Sequence, residues 1–317
     1  MKTGFFSVYG NHLDFSKGSI SYIIYFVFLT LTILTTLLIA IFHRFIRQRY
    51  YFYDKNKLGI SRIVMLQIVG VITLLFILTR IVLQITIKMP KYWEIIPFQF
   101  CRFILCALAI MLIFKKIEWI KYFGFLGIVG AYIALFTSSL HYSLGKAPKT
   151  FVIGLDNFYY YDYLFAHIYI VILSSFLLSI NKSKTTFKDT LITIGIFTIA
   201  ILIAALVNYL LKNHPESWRS NYFFLKQDKT GDRQNSLLGI LTDFPYSTIT
   251  FIILGTMSII LWTTLQMLFD KIYFNYDSIN KKFIFKTQQS FNWQIYKQSF
   301  NLKQKDYDKL KKFSYKE

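Results

Sequence analysis

Long apolar segments alternate with short polar ones along this chain of 317 residues. A helix needs roughly 20 mostly apolar residues to cross a bilayer, and these segments have about that length. Hydrophobic residues make up 55% of the sequence, more than a soluble domain of this size could bury. We therefore predict an all-α polytopic membrane protein, a bundle of seven transmembrane helices at Ile20–Phe42, Ile60–Ile87, Ile95–Phe114, Ile117–Leu140, Tyr163–Ile180, Leu191–Leu211 and Tyr246–Phe269.

Basic residues are concentrated in every second connection between these spans. They are Arg44, Arg47, Arg49, Lys55, Lys57, Lys115, Lys116, Lys121, Lys182, Lys184 and Lys188, followed by the lysines after Lys271. Cytoplasmic loops carry such an excess in multi-pass proteins. The pattern predicts an N-terminus outside and a C-terminus inside, in the cell membrane. It also divides the chain into a transmembrane domain, residues 1–270, and a basic, aromatic cytoplasmic tail, residues 271–317.

The formal net charge of +20 could indicate a nucleic-acid partner, since nucleic-acid-binding domains carry basic patches. Most of the excess lies in the predicted cytoplasmic loops and tail, where topology and anionic lipid headgroups explain it. We therefore expect membrane lipids as partners and no nucleic acid. The oligomeric state stays open.

The sequence contains no motif for a cofactor or a metal ion. Walker-type loops, dinucleotide-binding glycine patterns, His-x-x-x-His pairs and Gly-x-Ser-x-Gly elbows are all absent. Cys101 and Cys106 are separated by about 500° of helical rotation, so neither a disulfide nor a shared metal is expected. Acidic residues are almost absent from the predicted spans, which argues against a carrier that uses carboxylates.

Several polar residues inside the spans fall at a similar depth, near the predicted outer face. They are Arg80, Cys101, His141, His167 and Asn208. Ionisable residues at membrane depth are costly and often functional. Arg80 shares a helical face with Thr73 and Gln84. Arg80 could bind a ligand, or its guanidinium could snorkel to the headgroups or pair with a backbone carbonyl.

Cys101 follows Pro97, a residue that suits the first turn of a helix. The positive end of the helix dipole and the neighbouring Arg102 would favour a thiolate, which is the nucleophilic form of cysteine. The alternative is a buried cysteine that only packs, as free cysteines often do. Cys106, deeper in the same span, is assigned to packing.

His167 lies on a polar stripe of the fifth span. If the helix is continuous, its members Asp156, Tyr160, Tyr163, His167 and Ser174 share one face. A neutral histidine there could act as a base toward Cys101 or a substrate hydroxyl. It could equally hold two helices together through a hydrogen bond.

Short motifs in this order resemble the YwaF-like family of bacterial membrane proteins between Ile60 and Phe269. They are Pro97–Cys101, the glycine-rich Phe123–Gly130, His167, Asn208, Asn221–Leu225 and Phe244–Tyr246. That family is distantly similar to animal TMEM-class acyltransferases that make ether phospholipids. The resemblance implies that Cys101 carries an acyl group and that His167 is its base. Gln99 stands where many relatives have histidine.

Our leading hypothesis is a lipid acyltransferase or hydrolase with a thiol nucleophile near the outer leaflet. Cys101 and His167 would be catalytic, Arg80 or Arg102 would hold a phosphate of a phospholipid or acyl-lipid substrate, and Asn208 or amides near Asn221 would stabilise an oxyanion. The other candidate substrate-binding residues are Gln84, Gln99, His141, Tyr163 and Tyr222. The alternatives are a non-catalytic protein that binds or transports a small solute, and a scaffold acting through its tail.

Overall fold

The structure, a computed structural model, describes residues 4–6, 13–55, 59–87, 91–137, 141–143, 150–215, 217–225, 241, 244–277, 280–287 and 289–300. In this part of the chain, seven helices are long and apolar enough to cross a membrane, which confirms the predicted class. The α-helices are α1 (Ile20–Ile41), α2 (His43–Phe52), α3 (Arg62–Thr86), α4 (Phe100–Ile113), α5 (Ile120–Phe136), α6 (Phe158–Ile180), α7 (Phe187–Leu210), α8 (Tyr246–Phe269) and α9 (Phe291–Ser299). Short 3₁₀ turns cover Tyr92–Ile95, Ile117–Trp119 and Tyr222–Phe224.

Two short antiparallel hairpins accompany the helices in the described residues. Strand β1 (His141–Ser143) pairs with β2 (Thr150–Val152), and β3 (Ile272–Asp277) pairs with β4 (Lys282–Thr287). The predicted end of the fourth span, Leu140, lies outside the described residues, and α5 ends at Phe136.

Two helices begin earlier than predicted, and this places acidic residues inside the bundle. Helix α6 begins at Phe158 because Asn157 caps it, accepting a hydrogen bond from the Tyr159 amide at 2.8 Å, so Asp162 lies inside the span. Helix α7 begins at Phe187 after a capping box between Thr186 and Asp189. The expectation that the spans hold almost no acidic residues was therefore wrong at these two starts.

The ends of the bundle are distinguished by their ionic contacts, and we name each after its central acidic residue. The Asp162 end joins the C-terminus of α3 to the N-termini of α4 and α6 through Arg80, Arg102 and Asp162. At the Asp270 end, Arg44 of α2 contacts Asp270, the residue after α8. Successive spanning helices therefore alternate in direction.

Helix α6 lies at the centre of the bundle, with 67% of its most apolar window buried against 17% for α1 and for α8. Helices α3 and α4 approach closely at Gly70, where an added Cβ would lie 2.9 Å from the Ala109 carbonyl oxygen. Small residues allow such contacts between membrane helices. The outer surfaces of α1 and α8 remain apolar and face the bilayer.

The described part of the predicted tail folds back on the bundle. The Tyr296 hydroxyl of α9 donates a hydrogen bond to the Thr190 hydroxyl of α7 at 3.2 Å. The Ser299 hydroxyl accepts a hydrogen bond from the Phe187 amide at 2.9 Å. Phe274 of β3 packs edge-on against Phe42, with 4.6 Å between ring centroids. The part up to residue 300 is therefore attached to the Asp270 end, and residues 301–317 lie outside the described residues.

Candidate functional site

A buried ionic cluster forms the centre of the Asp162 end. One oxygen of Asp162, Oδ2, accepts hydrogen bonds from Arg80 Nε at 2.9 Å and from Arg102 Nη2 at 2.5 Å. All three residues are more than nine-tenths buried. A buried charge is stable only when it is paired and hydrogen-bonded, and here one carboxylate serves two guanidinium groups on two other helices.

Arg80 makes further contacts that complete its side of the cluster. Its Nη1 donates to Gln84 Oε1 at 2.7 Å and to the Glu94 carbonyl at 3.1 Å. The Glu94 carboxylate lies 4.0 Å from Arg80 Nη2. Arg80 therefore faces two carboxylates, and it is held inside the protein rather than at the headgroups.

Three polar atoms around this cluster have no hydrogen-bond partner in the described part of the chain. They are Arg102 Nη1, Asp162 Oδ1 and the hydroxyl of Tyr159. Tyr159 lies within electrostatic range of Arg80, Glu94 and Asp162. Buried polar atoms normally have hydrogen-bond partners. These three atoms are therefore available to bond water or a polar group of a ligand.

Cys101 occupies the second position of α4, since Gln99 is the N-cap and Phe100 the first helical residue. Pro97 therefore precedes the helix instead of lying in its first turn. The thiol is free and partly buried, and the amides of the first turn around it lack intrahelical partners. Tyr163 lies within electrostatic range of Cys101.

His167 is held by Tyr163, one turn before it on α6. Its Nδ1 lies 2.5 Å from the Tyr163 carbonyl oxygen, and the two rings are 4.4 Å apart between centroids. The Tyr163 hydroxyl in turn donates to the Ala134 carbonyl of α5 at 2.5 Å. Because a carbonyl only accepts, Nδ1 carries a proton, so Nε2 is the nitrogen that accepts a proton whenever the ring is neutral.

No hydrogen bond joins Cys101 to His167 among the described residues. The predicted stripe on α6 is also shorter than expected, because Asp156 precedes the helix, where its carboxylate accepts a hydrogen bond from the Leu13 amide at 3.3 Å. Tyr160 donates to the Ser21 carbonyl at 2.7 Å. Tyr163 and His167 are the part of the stripe that lies together.

Asn208 fixes the loop that follows α7. Its Nδ2 donates to the Tyr222 carbonyl at 2.9 Å, and its Oδ1 accepts from the Tyr222 amide and the Ser220 hydroxyl, both at 2.9 Å. The Tyr222 hydroxyl donates to the Trp93 carbonyl at 2.8 Å. Both polar atoms of Asn208 are thus engaged in positioning residues 220–222.

Gln99 holds the same loop from α4. Its Nε2 donates to the Asn221 carbonyl at 3.3 Å, and its Oε1 accepts from the Phe223 amide at 3.2 Å. Phe223 has a φ of 57°, a left-handed conformation that is strained for an aromatic residue. Gln99, Asn221 and Tyr222 therefore lie together with Asn208, as a supported wall beside the start of α4. His141 lies on β1, and the structure does not describe its side chain.

One comparison with known proteins decides the family. The model of the TMEM164 family matches residues 15–263, which is most of the chain. The protein belongs to the TMEM164 family. No curated protein and no solved structure gives a significant match.

The TMEM164 match contains the whole Asp162 end, including residues that the sequence analysis missed. Asp162, Glu94 and Tyr159 lie outside the predicted spans, because the apolar pattern predicts a fifth span that begins at Tyr163 and a third that begins at Ile95. One signal could have found Asp162: two arginines at membrane depth require a carboxylate, and Asp162 lies five residues before His167. The match ends before Asp270 and the α9 tail.

Proposed function

We propose that this TMEM164-family protein is a lipid acyltransferase or hydrolase with Cys101 as its nucleophile. The observation that carries the proposal is the arrangement of Tyr163. Its carbonyl orients the His167 ring with Nε2 as the base, and Tyr163 is within electrostatic range of Cys101. The resemblance to YwaF-like proteins and to ether-phospholipid acyltransferases is part of the same proposal.

The reaction proceeds in two half-reactions that return both groups to their starting state. Cys101 Sγ attacks the carbonyl carbon of the donor ester, and His167 Nε2 takes the thiol proton and gives it to the leaving oxygen as the ester C–O bond breaks. A thioester and a lipid alcohol result. An acceptor hydroxyl or water then attacks the thioester carbonyl carbon. His167 Nε2 takes the proton of that hydroxyl or water and gives it to the sulfur as the C–S bond breaks, which restores the thiol and releases an ester or a fatty acid.

His167 and Cys101 form their hydrogen bond when the substrate is bound, since catalytic hydrogen bonds are often long before binding. Arg102, whose Nη1 has no partner among the described residues, is the better candidate than Arg80 for the lipid phosphate. Asn208 and Gln99 act by holding the loop at residues 220–223 through the Tyr222 and Phe223 amides, so these two amides are already bonded and do not serve as oxyanion donors.

The Asp162 end faces the outside of the cell membrane in this proposal, because the basic loops and the tail lie at the Asp270 end. A cysteine introduced at exposed Lys281, in a Cys101→Ser/Cys106→Ser background, tests this orientation. We expect a membrane-impermeant maleimide to label it in permeabilised cells and not in intact ones. Labelling in intact cells would place Lys281 outside the cell and contradict the proposed orientation.

The activity itself is tested by reconstituting the full chain in vesicles that contain a phospholipid with a labelled acyl chain and a lysophospholipid acceptor. Transfer of label to the acceptor indicates an acyltransferase, and release of labelled fatty acid indicates a hydrolase. Vesicles without protein and vesicles with heat-denatured protein are the controls. Label that stays on the donor across several phospholipid classes would contradict both.

Non-catalytic solute binding is the second candidate, favoured by one observation: Cys101 and His167 are not hydrogen-bonded among the described residues. It predicts saturable binding of a small solute that survives Cys101→Ser. The two candidates therefore differ in whether the thiol is required.

A further inference from the structure

A cavity of about 150 Å³ lies at the Asp270 end, remote from Cys101. Residues of α1, α2, α5, α6 and α8 line it, together with Asp270 and Asn292 of α9. The walls are apolar and include Leu37, Phe125, Leu178, Trp262 and Leu265. A cavity of this volume lined by apolar side chains takes a guest about the size of benzene. It fits a stretch of an alkyl chain whose remainder lies along the apolar surfaces of α1 and α8.

Part of the cavity lining is polar. His43 Nε2, Ser175 Oγ and Asn292 Oδ1 are buried atoms with no hydrogen-bond partner in the described residues, and all three residues line the cavity. An unsatisfied buried polar atom costs about 1–3 kcal/mol. Three such atoms around one space indicate a ligand or ordered water that completes their hydrogen bonds.

His43 Nε2 and Asn292 Oδ1 both accept hydrogen bonds, so the ligand must donate one. His43 Nδ1 lies 2.8 Å from the Ala40 carbonyl oxygen, so Nδ1 carries the proton. Burial lowers the pKa of His43, an effect that Arg44 and Arg47 increase and Asp270 opposes. The ring is therefore neutral near pH 7, and its Nε2 accepts, as Asn292 Oδ1 does.

Asp270 adds an acceptor beside His43. Its Oδ1 lies 3.9 Å from His43 Nε2, too far for a hydrogen bond, and the gap suits a hydroxyl that donates to one of the two. Anionic headgroups fit poorly, because the two nearby arginines already bind acceptors of the protein. Arg44 pairs with the Asp270 carboxylate at 3.3 Å, and Arg47 donates to the Ser179 carbonyl at 2.9 Å.

We propose that this cavity binds a neutral lipid with a free hydroxyl group, of the monoacylglycerol class. The hydroxyl lies among His43, Asn292 and Asp270, and the acyl chain passes between α1 and α8 into the bilayer. Asp270 and Asn292 lie beyond residue 263, where the TMEM164 match ends. The site is independent of the thiol chemistry at the opposite end.

The test uses the full chain in lipid nanodiscs with a monoacylglycerol that carries a photoreactive diazirine on its acyl chain. We expect saturable labelling of the facing segments of α1 and α8, at residues 36–40 and 262–269. Unlabelled monoacylglycerol should compete, and free glycerol should not. The probe thus distinguishes a lipid from a soluble polyol.

His43→Phe removes the acceptor and should weaken binding about tenfold, the equivalent of one hydrogen bond in a buried site. Asn292→Leu gives an independent second variant if His43→Phe fails to fold, with melting temperature and size-exclusion profile as the check. His214→Phe is the matched control, because His214 is exposed and lies at the Asp162 end.

Three results would overturn the proposal. The first is labelling that does not saturate, which would indicate non-specific contact with bilayer lipid. The second is labelling that folded His43→Phe and Asn292→Leu proteins retain unchanged. The third is equal competition by free glycerol, which would replace the lipid by a polyol.

Discussion

Replacing Asp162 by asparagine should lower the free energy of unfolding by about 3–5 kcal/mol, the range measured when one partner of a buried ion pair is removed. Asparagine keeps the shape of the side chain and loses its charge. Arg80 would then keep only the Glu94 carboxylate, which lies 4.0 Å away, and Arg102 would lose the carboxylate that it contacts. The loss should separate α3 and α4 from α6, and a denaturant titration of the detergent-solubilised protein measures it.

Asp54→Asn is the matched control for this experiment. Asp54 also pairs with an arginine, Arg62, at 3.0 Å, but its side chain is 88% exposed. Exposed pairs contribute about 0–1 kcal/mol because water screens them. If Asp162→Asn cost no more than Asp54→Asn, the ionic cluster would not be what holds the three helices together.

The spanning helices could be predicted from the sequence because a bilayer imposes one length and one polarity on each. Apolar runs of about 20 residues have few alternatives to a helix in lipid, and all seven predicted spans overlap the helices of the structure. The short hairpins carry no comparable signal. Strands of three to six residues depend on partners that a single apolar profile does not show.

The candidate site was predicted less completely, because its hydrogen bonds join residues far apart in the chain. Arg80 and Asp162 are separated by 82 positions, and Gln99 and Phe223 by 124. Depth placed Asn208 near the site but could not show that the loop at residues 220–222 occupies its side chain. Helix α6 begins at Phe158 because Asn157 caps it. The apolar pattern does not show this cap, so the predicted fifth span excludes Asp162.

Replacing Cys101 by alanine should reduce acyl transfer by at least about 1000-fold, since the loss of a catalytic nucleophile removes the whole covalent route. Cys106→Ala is the matched control. Cys106 lies on the same helix five residues further on and packs against the core, so its loss should leave turnover within about threefold and cost only stability, as expected for a small packing change. Equal melting temperatures of the two variants would show that the difference concerns chemistry.

The most direct measurement is a search for the thioester on Cys101. The reconstituted protein is incubated with the labelled phospholipid without an acceptor, quenched in acid and digested for mass spectrometry. We predict an acyl adduct on the peptide that contains Cys101, removed by neutral hydroxylamine, retained in Cys106→Ala and lost in Cys101→Ala. Acyl transfer by the wild-type protein without any adduct, or full turnover by Cys101→Ala, would contradict the thiol mechanism.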